Sequence, residues 1–161
     1  MMLSLLRLKS LKVLGSVGLI CLATQVYADE HSHQTGEHKA AFTLNQGKKW
    51  EGDAVLRQGM ETIRQAVAAN QEAIEKNRLG AQDYQRLADT VDKNIASIVK
   101  NCKLTKDTDE AFHTIVLADL VRSTEMIRTS SDIQTQRAGA LGLLQALRNY
   151  GTYFQHPGWR M

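Results

Sequence analysis

Apolar residues recur every three or four positions from residue 50 onward, which is the spacing of one face of an α-helix. The first such stripe contains Leu56, Met60, Ile63, Val67 and Ile74. Three more stripes follow, and no proline interrupts any of them. The pattern predicts four helices, which span 53–78 and 82–101 and then begin at 107 and near 131.

The residues at the ends of these stripes predict where each helix starts and stops. Asp53 is a favourable N-cap for the first helix, and Gly80 would end that helix as a C′ glycine. Two capping boxes are expected, formed by Asp107 with Glu110 and by Ser131 with Gln134. Helices of about 20 residues with short connections predict an all-α fold, an antiparallel up-down-up-down four-helix bundle. The last helix would turn inward Ile133, Leu141, Leu144, Leu147 and Tyr150.

Residues 1–28 have the features of a secretory signal peptide. Basic residues precede a short apolar run, and the small residue Ala28 offers a cleavage site. Residues 29–49 are polar and aperiodic, so we expect a flexible tail with three histidines ahead of a bundle over 50–161. This organisation predicts a periplasmic protein that has no membrane segment after cleavage.

Cleavage would also change the charge of the chain. Residues 1–28 hold three of the 20 Lys and Arg residues and none of the 17 Asp and Glu residues. The remaining chain therefore carries 17 of each and no formal net charge. A neutral chain argues against a nucleic-acid partner, which requires a basic face.

The antiparallel order would bring four possible metal ligands to one end of the bundle. The first and third helices would start there and the second and fourth would finish there, which places Met60, Cys102, His113 and His156 close together. Two imidazoles, a thiol and a thioether form a soft ligand set that suits copper. Each residue also has an ordinary alternative role: core filler, inert thiol, hydrogen-bonded inward histidine and tail anchor, in that order.

The predicted tail would supply a second metal site. Cleavage after Ala28 makes His31 the third residue of the new chain. A terminal amine, two deprotonated amides and an imidazole form a square-planar site that suits Cu(II) or Ni(II). His33 and His38 follow within the same tail. A solvated polar linker is the alternative interpretation.

Two short segments resemble the periplasmic b-type four-helix-bundle cytochromes. They are Gly-Met-Glu-Thr-Ile at 59–63 and the run from Arg148 to His156. The resemblance implies haem b held between Met60 and His156, with a role in electron transfer. The segments at 47–50, 59–60, 101–104 and 156–159 are also similar to small uncharacterised periplasmic proteins of proteobacteria.

Motifs for enzymatic chemistry are absent from the sequence. It contains no Gly-rich phosphate loop, nucleophile elbow, H-E-x-x-H or C-x-x-C-H, and a Cys102–His113 pair would lack a third, orienting group. We therefore expect a non-enzymatic protein that binds copper at one pole. The alternatives are a haem electron-transfer protein and a metal-free structural or partner-binding bundle, with a periplasmic protein or a second copy as the partner.

Overall fold

The computed structural model describes residues 42–161, and this part of the chain is mostly helical. A π-helical turn, His113–Leu117, joins α3 to α4 without a break, so the helices form four segments. The elements in chain order are β1 (Trp50–Glu51), α1 (Ala54–Glu75), α2 (Ala81–Asn101), α3 (Lys106–Phe112), the π turn, α4 (Ala118–Thr129), α5 (Ile133–Tyr153) and β2 (Phe154–Gln155). The prediction of an all-α fold with four helical segments is confirmed.

The first helix ends earlier than the sequence pattern predicts. Asp53 is its N-cap as expected and accepts a hydrogen bond from the Leu56 amide at 2.7 Å. Its C-cap is Lys76, and Asn77 has a positive φ of 53°. Gly80 instead precedes α2 in an extended conformation, so its predicted role as a C′ glycine is wrong. Asparagine tolerates the left-handed region and can replace glycine after a helix.

The two predicted capping boxes are also wrong. Thr105 is the N-cap of α3 and accepts from the Thr108 amide at 3.3 Å. Asp132 is the N-cap of α5 and accepts from the Thr135 amide at 2.8 Å. Both are good capping residues that lie one or two positions from the expected ones, so local preference alone did not determine the boundary.

The predicted apolar stripes of the first three helical segments form the core. Met60, Val91 and Leu120 are among the side chains with no exposed surface, and burying each large apolar side chain contributes about 1.5–3 kcal/mol. Leu141 was expected to face the core but is 36% exposed, and Leu143 is buried in its helix instead. α4 and α5 pack closely at Gly139, where an added Cβ atom would lie 2.6 Å from the Ser123 carbonyl oxygen. This close contact sets the rotation of α5 and turns Leu141 away from the core.

A short parallel strand pair joins the segment before α1 to the segment after α5. Trp50 pairs with Phe154, and Glu51 pairs with Gln155. Two-residue strands are too short to produce an alternating pattern, so the sequence did not predict them. The Lys49 ammonium also donates to the Gly151 carbonyl at 2.5 Å. The strand pair and this hydrogen bond therefore connect the segment before α1 with the C-terminal end of α5.

Side chains from neighbouring helices cap the ends of α1 and α4. Arg137 of α5 donates to the carbonyls of Ile74 and Glu75 at the end of α1, each at 2.8 Å. Gln85 of α2 donates to the Ile127 carbonyl at the end of α4 at 2.9 Å. These bonds add partners to carbonyls in the last turn of each helix, where the regular intrahelical hydrogen bonds end. None of the helices within residues 42–161 is long and apolar enough to cross a membrane.

Candidate functional site

One carboxylate ties the start of α1 to the end of α2. Asp53 Oδ1 caps α1, and Asp53 Oδ2 accepts a second hydrogen bond from the Lys103 amide at 2.6 Å. Cys102 is the C-cap of α2 and immediately precedes that amide. The next helix begins after Thr105. The short connection between α2 and α3 is thereby held against the N-terminus of α1.

Cys102 and His113 both have Asp109 as a neighbour. The Cys102 thiol is partly buried and forms no disulfide within the described residues. Its pKa is raised by burial first and then by the negative charges of Asp53 and Asp109. His113 Nε2 lies 3.9 Å from Asp109 Oδ2, one helical turn away on the same face. Asp109 therefore acts on both Cys102 and His113, two members of the predicted ligand set, and we name the three residues the Cys102–Asp109–His113 group.

His113 was expected near the inward stripe of its helix, and this expectation is wrong. Its side chain is 58% exposed, while Phe112 and Val116 are buried on either side of it. His113 is the first residue of the π turn. A π turn takes an additional residue into the helical turn, so a strict three-to-four-residue stripe does not predict the direction of side chains across it.

Met60 lies in the hydrophobic core, where it has no exposed surface. It follows the same buried row of α1 as Leu56 and Ile63. Its thioether is therefore placed as a core side chain, the ordinary role that the sequence left open for it.

His156 belongs to an aromatic cluster that follows the end of α5. Its Nδ1 lies 3.2 Å from the Tyr150 hydroxyl oxygen. The Tyr150 ring stacks on Phe154 with a centroid separation of 5.2 Å, and it meets Trp159 at 4.6 Å. Burial lowers the pKa of His156, with Glu61 opposing the change and Arg57 reinforcing it. His156 has the surroundings of a tail anchor.

Glu61 is the nearby carboxylate that acts on His156, and it has a partner of its own. Arg64 donates two hydrogen bonds to it, at 2.6 and 2.8 Å. These bonds are the largest cause of the lowering of the Glu61 pKa to about 2. The Arg64 guanidinium also lies 5.8 Å from the centre of the Trp159 ring. An ion pair on α1 is therefore in contact with the C-terminal tail.

Two features at this site were not predicted from the sequence. Asp109 lies four residues before His113, a helical spacing that is visible in the sequence. The aromatic cluster is encoded by Tyr150, Phe154 and Trp159, which recur at intervals of four and five residues. Both spacings are visible in the sequence, but neither shows which other elements pack beside these residues.

Residues 42–161 contain no group of three or more His, Cys, Asp or Glu side chains arranged to hold a metal ion. The predicted tail ligands His31, His33 and His38 lie outside the described residues. The predicted four-residue set is thus divided between the Cys102–Asp109–His113 group, a core methionine and a histidine packed against the tail. Comparison with known proteins adds no family, because no family model, curated protein or solved structure matches this chain.

Proposed function

We propose that this protein is a secreted helical bundle that binds a soft metal ion, with copper as the first candidate, through Cys102 and His113. The observation that carries the proposal is the position of Asp109, whose carboxylate lies 3.9 Å from the His113 imidazole and whose charge, after burial and Asp53, raises the pKa of the Cys102 thiol. A thiolate and an imidazole suit copper, and a carboxylate beside them can orient the imidazole.

The proposal uses a smaller ligand set than the sequence predicted. Met60 would have to leave the core, and His156 would have to give up its contact with Tyr150. Haem b held between Met60 and His156 would require both changes, together with a rearrangement of the Tyr150–Phe154 stack. For that reason we rank haem below copper, and a metal-free partner-binding bundle is the remaining alternative.

The topology and location that accompany this function are part of the proposal. We infer an antiparallel order of the helical segments, supported by three long-range contacts. They are Gly59 of α1 against Ile98 of α2, Gln85 of α2 with Ile127 of α4, and Arg137 of α5 with Ile74 of α1. Secretion to the periplasm through residues 1–28 completes the proposal, and it would expose the tail histidines to the same metal supply.

The test is a Cu(I) titration of the purified protein under anaerobic conditions, in competition with a coloured chelator, together with metal analysis. We expect one Cu(I) per chain, and affinity that rises with pH because the raised pKa of Cys102 makes binding release a proton. Cys102→Ser and His113→Gln should each weaken binding at least about tenfold, since each removes a ligand. An absorption spectrum after addition of haem tests the haem alternative.

The matched control is His156→Gln, which removes an imidazole outside the Cys102–Asp109–His113 group. We expect it to keep its copper affinity. Copper binding that survives Cys102→Ser but disappears when residues 29–38 are deleted would contradict the proposal and place the site in the tail. Absence of stoichiometric copper binding would also contradict it and would favour the partner-binding alternative.

A further inference from the structure

A cavity of about 330 Å³ lies between the segment that precedes α1 and the third helical segment. Its lining includes two aromatic residues, Phe42 and Trp50, and two acidic residues, Asp107 and Glu110. Ile115 of the π turn adds an apolar surface. The volume lies at the lower end of the range for small-molecule sites. None of these residues belongs to the Cys102–Asp109–His113 group.

The two aromatic rings are held in place by other parts of the protein. The Trp50 indole Nε1 donates to the Thr43 carbonyl at 2.8 Å, and the Trp50 backbone pairs with Phe154 in the strand pair. The Phe42 ring meets Tyr153 edge-on, with centroids 5.9 Å apart. Rings that are fixed before a ligand arrives lose little conformational entropy when it binds.

Asp107 and Glu110 lack the side-chain partners that most acidic residues within 42–161 have. Asp83 and Asp119 each pair with an arginine three residues later on the same helix. Within residues 42–161, no hydrogen bond or ion pair involves the carboxylate oxygens of Asp107 or Glu110. The Thr114 hydroxyl, also in the lining, donates to the Glu110 backbone carbonyl at 2.9 Å. The described lining of the cavity therefore carries two acidic side chains and no basic one.

We propose that this cavity binds an organic ammonium ion, supplied by a small-molecule amine or by a lysine side chain. The faces of aromatic rings carry negative electrostatic potential and attract cations, most strongly at tryptophan. Two carboxylates add to the attraction, and the rings together with Ile115 provide contacts for the alkyl groups of the ion. A bare metal ion would gain little from the apolar residues of the lining, because hard cations are bound by surrounding oxygen atoms.

The test compares two ligands of the same shape, choline and its uncharged isostere 3,3-dimethylbutan-1-ol, with the purified, metal-free protein. The chain has two tryptophans, so its ¹H–¹⁵N spectrum should show two indole signals, and Trp50→Phe assigns them. We expect choline to shift the Trp50 signal, to leave the Trp159 signal in place, and to bind at least about tenfold more tightly than the isostere.

Variants then test the role of the carboxylates. Asp107→Asn combined with Glu110→Gln should weaken choline binding at least about tenfold and bring it close to that of the isostere. The matched control is Glu125→Gln, an exposed carboxylate on α4 outside the cavity, which should leave choline binding unchanged. Two further ligands identify the source of the ion: n-butylammonium represents a free amine, and Nα-acetyl-lysine amide represents a lysine side chain.

Two results would overturn the proposal. One is equal binding of choline and its uncharged isostere, which would show that charge plays no part. The other is a Trp50 signal that none of the three ammonium ligands shifts. Loss of copper binding in Cys102→Ser has no bearing on either result, so this proposal and the copper proposal fail independently.

Discussion

His113 and His156 are both histidines that the sequence nominates as metal ligands, but they have different surroundings. His156 lies against the Trp159 ring, with a centroid separation of 4.9 Å, and contacts the Tyr150 hydroxyl. His113 projects from the π turn with most of its side chain exposed, and its Nε2 lies 3.9 Å from Asp109 Oδ2. The His156 imidazole is part of the packing of the tail, whereas the His113 imidazole lies mostly in solvent.

The difference shows that ligand binding by a histidine depends on the exposure of its side chain and on whether its ring nitrogens already contact the protein. A ligand at His156 must compete with interactions that hold the tail in place, so binding there would cost stability. A ligand at His113 displaces mainly water and a contact between two exposed side chains, which contributes little to stability. We therefore expect substitutions in the aromatic cluster to change the free energy of unfolding, and substitutions around His113 to change metal binding and the reactivity of the thiol.

The largest effect should come from Tyr150→Ala. Tyr150 has no exposed surface and its ring contacts Phe154, His156 and Trp159. Its removal should lower the free energy of unfolding by about 3–5 kcal/mol, as large aromatic deletions in cores do. Urea denaturation followed by circular dichroism measures the loss. Tyr153→Ala, at a half-buried ring in the same helix, should lose clearly less; an equal loss would show that the cluster has no special role.

A smaller effect is expected for Gly151→Ala. A Cβ at Gly151 would lie 2.5 Å from two atoms of the Trp159 ring, so the tail must move. Overpacking of this kind costs about 1–3 kcal/mol. Tryptophan emission should shift to longer wavelength as Trp159 becomes more exposed. Gly80→Ala is the control, since its φ of −81° suits alanine; a shift of equal size there would refute the explanation.

A smaller effect is expected for His156→Gln, which should change how the free energy of unfolding depends on pH. Because burial lowers the pKa of His156 in the fold, the unfolded chain takes up its proton first as the pH falls. The histidine therefore favours the folded state above its ordinary pKa of about 6.5, and that contribution is lost as the pH falls toward the lowered value. Urea midpoints between pH 7 and pH 5 should fall less steeply in the variant than in the parent. Identical slopes would contradict this account.

The smallest effect on stability is expected for Asp109→Asn, below about 0.5 kcal/mol, since both partners of its contact with His113 are exposed. The chemical effect should be clear, because Asp109 raises the pKa of the Cys102 thiol. The pH at which Cys102 reacts half-maximally with iodoacetamide should move down in the variant. Glu125→Gln, in α4, is the charge-matched control, and an equal change there would show a general effect of net charge.

The ligand set was only partly accessible from the sequence. Cys102 and His113 flank one short loop, and helical spacing places Asp109 beside His113, so this part follows from local geometry. The position of His156 depends on how the chain folds back after α5. The exposure of His113 depends on the π turn, where an additional residue in the turn disrupts the regular period.

The cavity beside Trp50 likewise could not be predicted from the sequence. Its lining comes from residues about 60 positions apart in the chain, and neither segment carries a motif for ligand binding. The two segments become neighbours because β1 pairs with β2 and the start of the third helical segment packs nearby. Such a site can be recognised only when the surfaces of separate elements are seen together.

The sequence by itself determined the number of helical segments and most of the residues that face the core. This follows because helical periodicity is local, and burial of one face of each helix is the main source of stability. Tertiary structure decided the caps of α3 and α5, the rotation of α5 at Gly139, and the separation of Met60 and His156 from the Cys102–Asp109–His113 group. The rotation of α5 and the position of the tail depend on contacts between distant residues, such as Gly139 with Ser123 and Trp50 with Phe154, which no local pattern specifies.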